Sequence, residues 1–386
     1  MDIELTDFQK DITREVRRLC ARFPETYWRE LDKQHQYPEE FVRALTDAGW
    51  LSILIPEEYG GGGVGMVEAA LVLREINRSG CNAAPAHAQM YTMGAVVRHG
   101  SEEQKQRYLP AIARGELRLQ SFAVTEPNAG TDTTRITTTA KREGDTYIIR
   151  GQKIFISRVN HSDLMMLITR TTPRDEGASR TDGMTLFLVD LRTAGDKLTV
   201  RPIQTMINAD TNELFFDGLE VPVKNRIGEE GKGFRYLLSG VNSERIAVAA
   251  EAIGNGMYFV DQASKYSTDR VVFGRPIGAN QGVQLPIAKA YANLQAANLA
   301  VFHAARLYDQ DAKCGEEANI AKYLASEAHW EAANAAMTAF GGYGYAVEFD
   351  IERHFRGARL GLTAPVSNNL VLSFLGHKIL GMPRSY

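Results

Sequence analysis

Hydrophobic positions recur at helical spacing in both end regions of the chain and alternate with polar positions in the middle region. Near the start, Phe41, Leu45 and Trp50 are four and five residues apart, which favours one face of a helix. A second helix is predicted over residues 102–115, where EEQKQRYLPAIARG ends in a glycine stop. Between them, IPEEYGGGG at residues 55–63 predicts a loop.

The region from about Gly233 onward has the pattern of long helices. The runs QLPIAKAYANLQAANLAVFHAARLYDQ and EEANIAKYLASEAHWEAANAAMTAF are alanine-rich, amphipathic and long enough for a helical bundle. One buried helix face is predicted to consist of Ile246, Ala250, Ile253, Met257 and Val260.

The region between these helices is rich in Thr, Val, Ile and Phe. TRITTTAKREGDTYIIRGQKIFIS predicts a strand, a Gly-Asp turn, a second strand, a turn at Gly151 and a third strand. GMTLFLVDL and NELFFDGLEVPV continue the β pattern. We therefore predict an α+β chain of three domains: an N-terminal α-helical domain (1–118), a middle β-barrel or sandwich domain (119–228) and a C-terminal four-helix bundle (229–386).

Composition narrows the class of protein. The 386 residues are 44% hydrophobic and 24% charged, which is typical of a soluble globular protein, and the net charge of −3 gives no basic field for nucleic acid. We expect no signal peptide and no membrane span, because MDIELTDFQKDITREV mixes acidic and apolar residues and no apolar run is long enough. Three distant cysteines indicate free thiols in a reducing compartment, with the cytoplasm as the expected location. The histidine spacing argues against a zinc site.

Several short stretches could carry chemistry. In FAVTEPNAGTDTT, a strand runs into a turn of small and hydroxyl residues, including Thr125 and Thr131, which could cradle a flat heterocycle or a phosphate. In GQKIFIS, alternation places Phe155 and Ser157 on one face of a strand. Taken singly, these two patterns are more often explained by a polar β-turn with capping threonines and by a strand with one buried aromatic and one exposed serine.

Two further stretches lie in the helical region. In DRVVFGRPIGANQ, Arg270 at a helix end suits a diphosphate, because its planar guanidinium makes paired hydrogen bonds. FGGYGY, residues 340–345, predicts a glycine turn after a long helix, where bare backbone could meet a ligand. Helix ends also carry Arg and Gly for capping reasons, so neither stretch is specific alone.

In their order and spacing, these stretches resemble the acyl-CoA dehydrogenase family over essentially the whole chain. AVTEPNAGTD is similar to the first family signature and GGYGYAVEFDIERHFR to the second. GQKIFIS resembles the family's G-Q-K-x-W-I-T strand, and DRVVFGRPIGANQ resembles its E-R-x-x-F-G-x-x-I-x-x-x-Q element. GWLSILIPEEYGGGG is similar to the family's N-terminal domain.

The resemblance implies an FAD site shared between subunits, and hence a homo-oligomer, at least a dimer and expected to be a tetramer. The residues expected to contact FAD are Phe122, Val124, Thr125, Thr131, Phe155, Ser157, Arg270, Phe273, Gln281, Gly341, Gly342, Ser367 and Asn369. The acyl-CoA contacts are expected to be Thr131, Asn242 and Arg245. Four positions depart from the family pattern, where tryptophan, threonine, glutamine and aspartate are usual: Phe155, Ser157, Thr338 and Gly357.

The family reaction needs a carboxylate base for the α-proton of an acyl thioester, while the flavin accepts the β-hydrogen as hydride. In most relatives the base is a glutamate that aligns with Pro365 here, in LTAPVSNNL, and proline cannot accept a proton. Branches resembling isovaleryl-CoA and long-chain acyl-CoA dehydrogenases carry the base on a bundle helix, and their L-E-R element aligns with Glu244. We place Glu244 in a first helical turn, where an acid after an N-cap Asn242 or Ser243 is also the ordinary start of a helix.

The expected function is therefore FAD-dependent α,β-desaturation of a short or medium acyl-CoA, straight or branched, in fatty-acid β-oxidation. Glu244 is the expected base, the product is a trans-2-enoyl-CoA, and an electron-transferring flavoprotein is the expected electron acceptor. Two alternatives stay open. One is a different flavin chemistry on the same fold, such as desulfination or nitroalkane oxidation, and the other is a non-catalytic flavin or acyl-CoA binder.

Overall fold

The computed structural model describes residues 4–176 and 179–384. The helices of these residues are α1 (Asp7–Cys20), α2 (Glu25–Gln34), α3 (Glu39–Asp47), α4 (Met66–Arg78), α5 (Ala84–His99), α6 (Glu102–Ala113), α7 (Gly233–Asp269), α8 (Gln281–Asp309), α9 (Gly315–Phe340), α10 (Ile351–Leu360) and α11 (Asn368–Phe374). The strands are β1 (Leu119–Ala123), β2 (Thr139–Glu143), β3 (Thr146–Ser157), β4 (Leu164–Arg170), β5 (Met184–Asp190), β6 (Leu198–Pro202), β7 (Thr211–Pro222), β8 (Arg226–Ile227), β9 (Val271–Val272) and β10 (Arg275–Pro276).

The chain divides into two compact units. The bundle unit consists of Met1–Gln34, Gly65–Ala83 and Asn242–Tyr386, and the sheet unit consists of His35–Val64 and Ala84–Val241. Because α7 is one continuous helix, it contributes residues to both units. The predicted domain boundaries after residues 118 and 228 stay predictions.

The bundle unit is built on the alanine-rich helices that the sequence pattern predicts. In this unit α8 packs along α9, α4 contacts both α1 and α8, and α10 and α11 pack on α9. The predicted face of α7 is buried throughout, at Ile246, Ala250, Ile253, Met257 and Val260. Small alanine side chains on α8 and α9 allow these helices to approach closely, and their burial removes apolar surface from water.

The sheet unit centres on one mixed sheet with the strand order β6-β7-β3-β2-β4-β5-β8, and β1 pairs in parallel with β4. Helix α5 packs on β1. Alternate residues of the strands point into a core that includes Tyr147, Ile149, Ile156, Phe187 and Leu214. The predicted strands around GMTLFLVDL and NELFFDGLEVPV are confirmed as β5 and β7.

Two local predictions are wrong. Gly151 does not turn the chain, since β3 continues through it and pairs with β7 at Phe216. A Cβ at Gly151 would come within 2.7 Å of the Cα of Thr138, so this glycine serves close packing. Trp50 does not continue the predicted helix, because α3 ends at Asp47 and Gly49 takes a left-handed conformation with φ of 78°.

In the parts of the chain that the structure describes, no helix is both long enough and apolar enough to cross a bilayer.

Candidate active site

The loop after β1, at residues 124–126, is held in place by two consecutive residues of β3. The Lys153 ammonium donates to the carbonyl of Val124 at 2.9 Å, and the backbone N–H of Ile154 donates to the carbonyl of Thr125 at 2.9 Å. Lys153 is fully buried. The first family signature is therefore fixed by its backbone, and the Thr125 side chain is left half-buried.

Glu126 anchors the same loop from its other side. Its carboxylate accepts hydrogen bonds from the Lys153 ammonium at 2.9 Å, the Thr137 N–H at 2.6 Å and the Thr138 N–H at 3.0 Å. Burial alone would raise the pKa of the Glu126 carboxyl, but Lys153 and these donors hold it below its ordinary value. Burial lowers the pKa of Lys153 to about 8, although Glu126 opposes that shift.

This buried ion pair was not predicted from the sequence. A signal was present, because Lys153 occupies an inward-facing strand position among residues such as Ile149 and Ile156. A charged residue at a core position calls for a buried partner.

Phe155 lies at an irregularity in β3. The register between β3 and β7 shifts between Lys153 and Ile156, so β3 carries one extra residue there. Phe155 takes a left-handed conformation with φ of 59°, and its side chain is 60% exposed. A bulky residue in this conformation is strained, and such strain is typical of ligand sites.

The surroundings of Phe155 fit a flat aromatic cofactor. Ser157 is half-buried, and the core-facing residue between the two is Ile156. Phe122 is half-buried with its ring centre 6.0 Å from that of Tyr91. These residues could supply apolar contact and a hydroxyl to the isoalloxazine ring of FAD, while the loop backbone near Thr125 could supply polar contacts. Thr131, the other predicted contact of this loop, is exposed.

The remaining predicted FAD residues lie in the bundle unit. Arg270 follows α7 directly, and its guanidinium carbon lies 5.5 Å from the centre of the Tyr343 ring. Phe273 is fully exposed at the turn between β9 and β10 and has φ of 52°. Gln281 begins α8 and is exposed. Gly341 and Gly342 follow α9 and are also exposed, and a Cβ at either would meet nothing within 4 Å.

The segment LTAPVSNNL forms a turn that leads into α11. Ser367 caps α11, because its hydroxyl accepts a hydrogen bond from the Leu370 N–H at 3.3 Å. Asn368 is buried and Asn369 is exposed. Pro365 is half-buried and offers no group that accepts a proton.

Glu244 does not lie in the first turn of a helix, so that expectation is wrong. Helix α7 begins at Gly233, which places Glu244 about three turns inside it. Asn242 and Ser243 are therefore not N-caps, and helix capping no longer explains the acid. Glu244 is half-buried.

Arg245 lies next to Glu244 and contacts a second predicted substrate residue. Its guanidinium donates to the side-chain oxygen of Asn242 at 3.1 Å. Burial lowers the pKa of Arg245, an effect that the Glu244 carboxylate opposes. Asn242, Glu244 and Arg245 thus lie on one segment of α7, within which the side chains of Arg245 and Asn242 are in contact.

The fold and these stretches define a flavin-dependent acyl-CoA oxidoreductase, and the family comparisons agree. Family models match residues 6–116 (acyl-CoA dehydrogenase, N-terminal domain), 121–219 (middle domain) and 231–364 (C-terminal domain). The chain belongs to the acyl-CoA dehydrogenase family. The C-terminal match ends one residue before Pro365.

Individual proteins are similar over nearly their whole length. Acyl-CoA dehydrogenase FadE12 of Mycobacterium tuberculosis is 35% identical, with 95% of this chain and 94% of that protein covered. An acyl-CoA dehydrogenase of Bacillus subtilis is 33% identical, with coverage of 91% and 92%. The structure of butyryl-CoA dehydrogenase from Megasphaera elsdenii is 29% identical and has a TM-score of 0.91, with 98% of this chain and 100% of that chain covered.

These findings confirm the predicted family, its three-part fold, the oxidoreductase class and FAD as the cofactor. The roles assigned to individual site residues stay predictions.

Proposed function

We propose that the chain oxidises a short- or medium-chain acyl-CoA, straight or branched, to the trans-2-enoyl-CoA, with Glu244 as the base. The position of Glu244 inside α7 carries this proposal, since an acid three turns from the helix start has no capping role. Pro365, at the usual position of the base, cannot replace it. The similarity to butyryl-CoA dehydrogenase supports a short acyl chain.

In this mechanism Glu244 removes the α-proton of the thioester and holds it on a carboxylate oxygen. Desolvation of the carboxylate by a bound acyl chain raises its pKa towards that of the activated α-proton, which favours the transfer. Arg245 and Asn242 orient the segment around the base. FAD, when bound, supplies the acceptor for the β-hydrogen.

We further propose that the protein acts as a homo-oligomer, expected to be a tetramer, and passes its electrons to an electron-transferring flavoprotein. The full exposure of Phe273, a large apolar side chain predicted to reach the FAD of a neighbouring subunit, supports the assembly.

The test is anaerobic bleaching of the bound flavin by a panel of acyl-CoAs, from butyryl-CoA and isovaleryl-CoA to octanoyl-CoA. Glu244→Gln removes the base but keeps a side chain of similar size, so the bleaching rate should fall about 10²- to 10⁴-fold. Glu251→Gln is a matched control two turns further along α7, and its rate should stay within about twofold of wild type.

Equal bleaching by wild type and Glu244→Gln would show that the base lies elsewhere. If no acyl-CoA bleaches the wild type, the dehydrogenase proposal fails. The alternatives of another flavin chemistry or a non-catalytic binder would then apply.

A further inference from the structure

Lys322 is a fully buried lysine on α9, in the bundle unit. It lies on the helix face formed by small apolar residues, with Ala318 and Ala325 buried one turn before and after it. An ammonium group in such surroundings is costly to desolvate, so its presence needs a specific partner.

Its partner is the side-chain amide of Asn368. The Lys322 ammonium donates to the amide oxygen of Asn368 at 2.6 Å. The Ser326 hydroxyl lies 3.1 Å from the same oxygen and shares its proton with the Tyr323 carbonyl at 3.0 Å. The amide nitrogen of Asn368 in turn donates to the Glu327 carboxylate at 2.6 Å. Three side chains of α9 therefore hold one amide in a single orientation.

Asn368 lies between Ser367 and Asn369, the two residues of this segment predicted to contact FAD. Ser367 is the N-cap of α11, and Asn368 is its first residue. Because adjacent residues share a backbone, fixing the Asn368 side chain also fixes the directions of its two neighbours. Nothing in the sequence indicated that Ser367, Asn368 or Asn369 lies near Lys322.

A contribution to stability does not explain why a lysine is buried at this position. The Lys322 ammonium donates to a neutral amide oxygen, whereas the equally buried ammonium of Lys153 meets the Glu126 carboxylate at 2.9 Å. Burial, and then the positive charge of Arg245, lower the pKa of Lys322 to about 8, while Glu327 opposes the shift. A methionine would fill the same space without a desolvation penalty, so stability alone does not account for a lysine here.

We infer that Lys322 is a positioning residue for the cofactor: it holds Asn368 and thereby sets Ser367 and Asn369 in place to bind FAD. This inference rests on the proposed FAD contacts of Ser367 and Asn369. It does not depend on the substrate or on Glu244.

The test is the release of FAD from the full-chain holoenzyme on dilution, followed by flavin fluorescence. Lys322→Met and Asn368→Ala should each raise the dissociation constant at least 10-fold. The FAD dissociation constant of the double variant should exceed that of the more affected single variant by no more than about twofold. Both changes break the same contact, so their effects should not add. Lys322→Gln, which keeps a donor without the charge, should bind FAD with intermediate affinity.

Lys289→Met is the matched control. Lys289 is 71% exposed and pairs with Glu331 at 2.7 Å, so the same chemical change on the bundle surface should leave FAD binding unchanged. An unchanged dissociation constant in Lys322→Met would overturn the inference, whether or not its thermal midpoint falls. The inference would also be overturned if the fold-changes in dissociation constant of the two single variants multiplied in the double variant.

Failure of this test is distinguishable from failure of the proposed function. FAD release is measured without acyl-CoA, whereas the Glu244→Gln comparison follows bleaching by acyl-CoA in a protein that retains its flavin.

Discussion

Among the described residues, each of the two units buries one lysine completely, behind a loop that is predicted to contact FAD. In the sheet unit Lys153 lies behind residues 124–126, and in the bundle unit Lys322 lies behind residues 367–369. Burial lowers the pKa of both ammonium groups to about 8. The difference lies in the partner, which is the Glu126 carboxylate for Lys153 and the neutral Asn368 amide for Lys322.

Because their partners differ, the two buried lysines are expected to affect stability differently. A carboxylate partner compensates much of the desolvation cost, and removal of Lys153 alone would leave an uncompensated buried charge in the sheet unit. A neutral amide compensates less, so Lys322 costs stability and is better explained by the loop that it positions.

The largest effect is expected from Lys153→Met. This change leaves Glu126 as a buried, unpaired carboxylate, and the free energy of unfolding should fall by about 3–5 kcal/mol. Urea unfolding followed by circular dichroism measures it. The same change at Lys322 should alter the free energy of unfolding by no more than about 1 kcal/mol, because it removes a desolvation penalty together with a hydrogen bond.

Arg150→Gln is the control for this comparison. Arg150 pairs with Asp217 on neighbouring strands of the same sheet, but their side chains are 63% and 87% exposed. Loss of an exposed pair should cost about 0–1 kcal/mol. A loss in Lys153→Met as small as in Arg150→Gln would remove the distinction between the two lysines.

A second difference is expected in acid, between the buried histidine His329 and the buried carboxylate Glu126. In the bundle unit His329 is buried and shares a hydrogen bond with Asn255 at 2.8 Å, and Asn255 also contacts His354 at 2.7 Å. Burial, and then His354, lower the pKa of His329 to about 3. The unfolded chain takes up this proton below about pH 6.5 and the folded chain does not, so stability should fall by ~1.4 kcal/mol per pH unit from about pH 6.5 towards pH 3.

Glu126 behaves differently, because its lowered pKa adds stability that is lost only below about pH 4.5. The contribution of His329 should therefore be lost at a higher pH than the contribution of Glu126. Urea unfolding at pH 7, 6 and 5 tests this, and His329→Gln should reduce the pH dependence. His303→Gln, at an exposed position on α8, should not. If the free energy of unfolding changed equally with pH in wild type and His329→Gln, the pH dependence could not be assigned to His329.

The smallest effect is expected from Phe155→Gly. Relief of the left-handed conformation should raise the free energy of unfolding by about 1 kcal/mol, while loss of the ring should weaken FAD binding. His35→Gly is the control, since exposed His35 has φ of 52°. It should stabilise the protein to a similar extent without changing the affinity for FAD. Unchanged FAD binding in Phe155→Gly would show that the strained ring has no role in the site.

Much of this molecule follows from its sequence. Period-3.6 apolar spacing determined the long helices α8 and α9 and the buried face of α7, because a helix repeats its direction every three to four residues. The order of the signature stretches identified the family, and with it the fold and the cofactor. The proposal that the catalytic carboxylate lies on α7, at Glu244, also began from the sequence, because Pro365 stands at the usual position of the base.

The surroundings of these residues depend on how distant parts of the chain pack together. The start of α7 at Gly233 removed the capping explanation of Glu244, and the bulge at Phe155 exposed its ring. Neither is local, because helix starts and strand irregularities depend on packing against distant segments. The same holds for Lys153 and Lys322, which look like ordinary lysines in sequence. Their burial, and the contrast between a charged and a neutral partner, depend on residues 27 and 46 positions away along the chain.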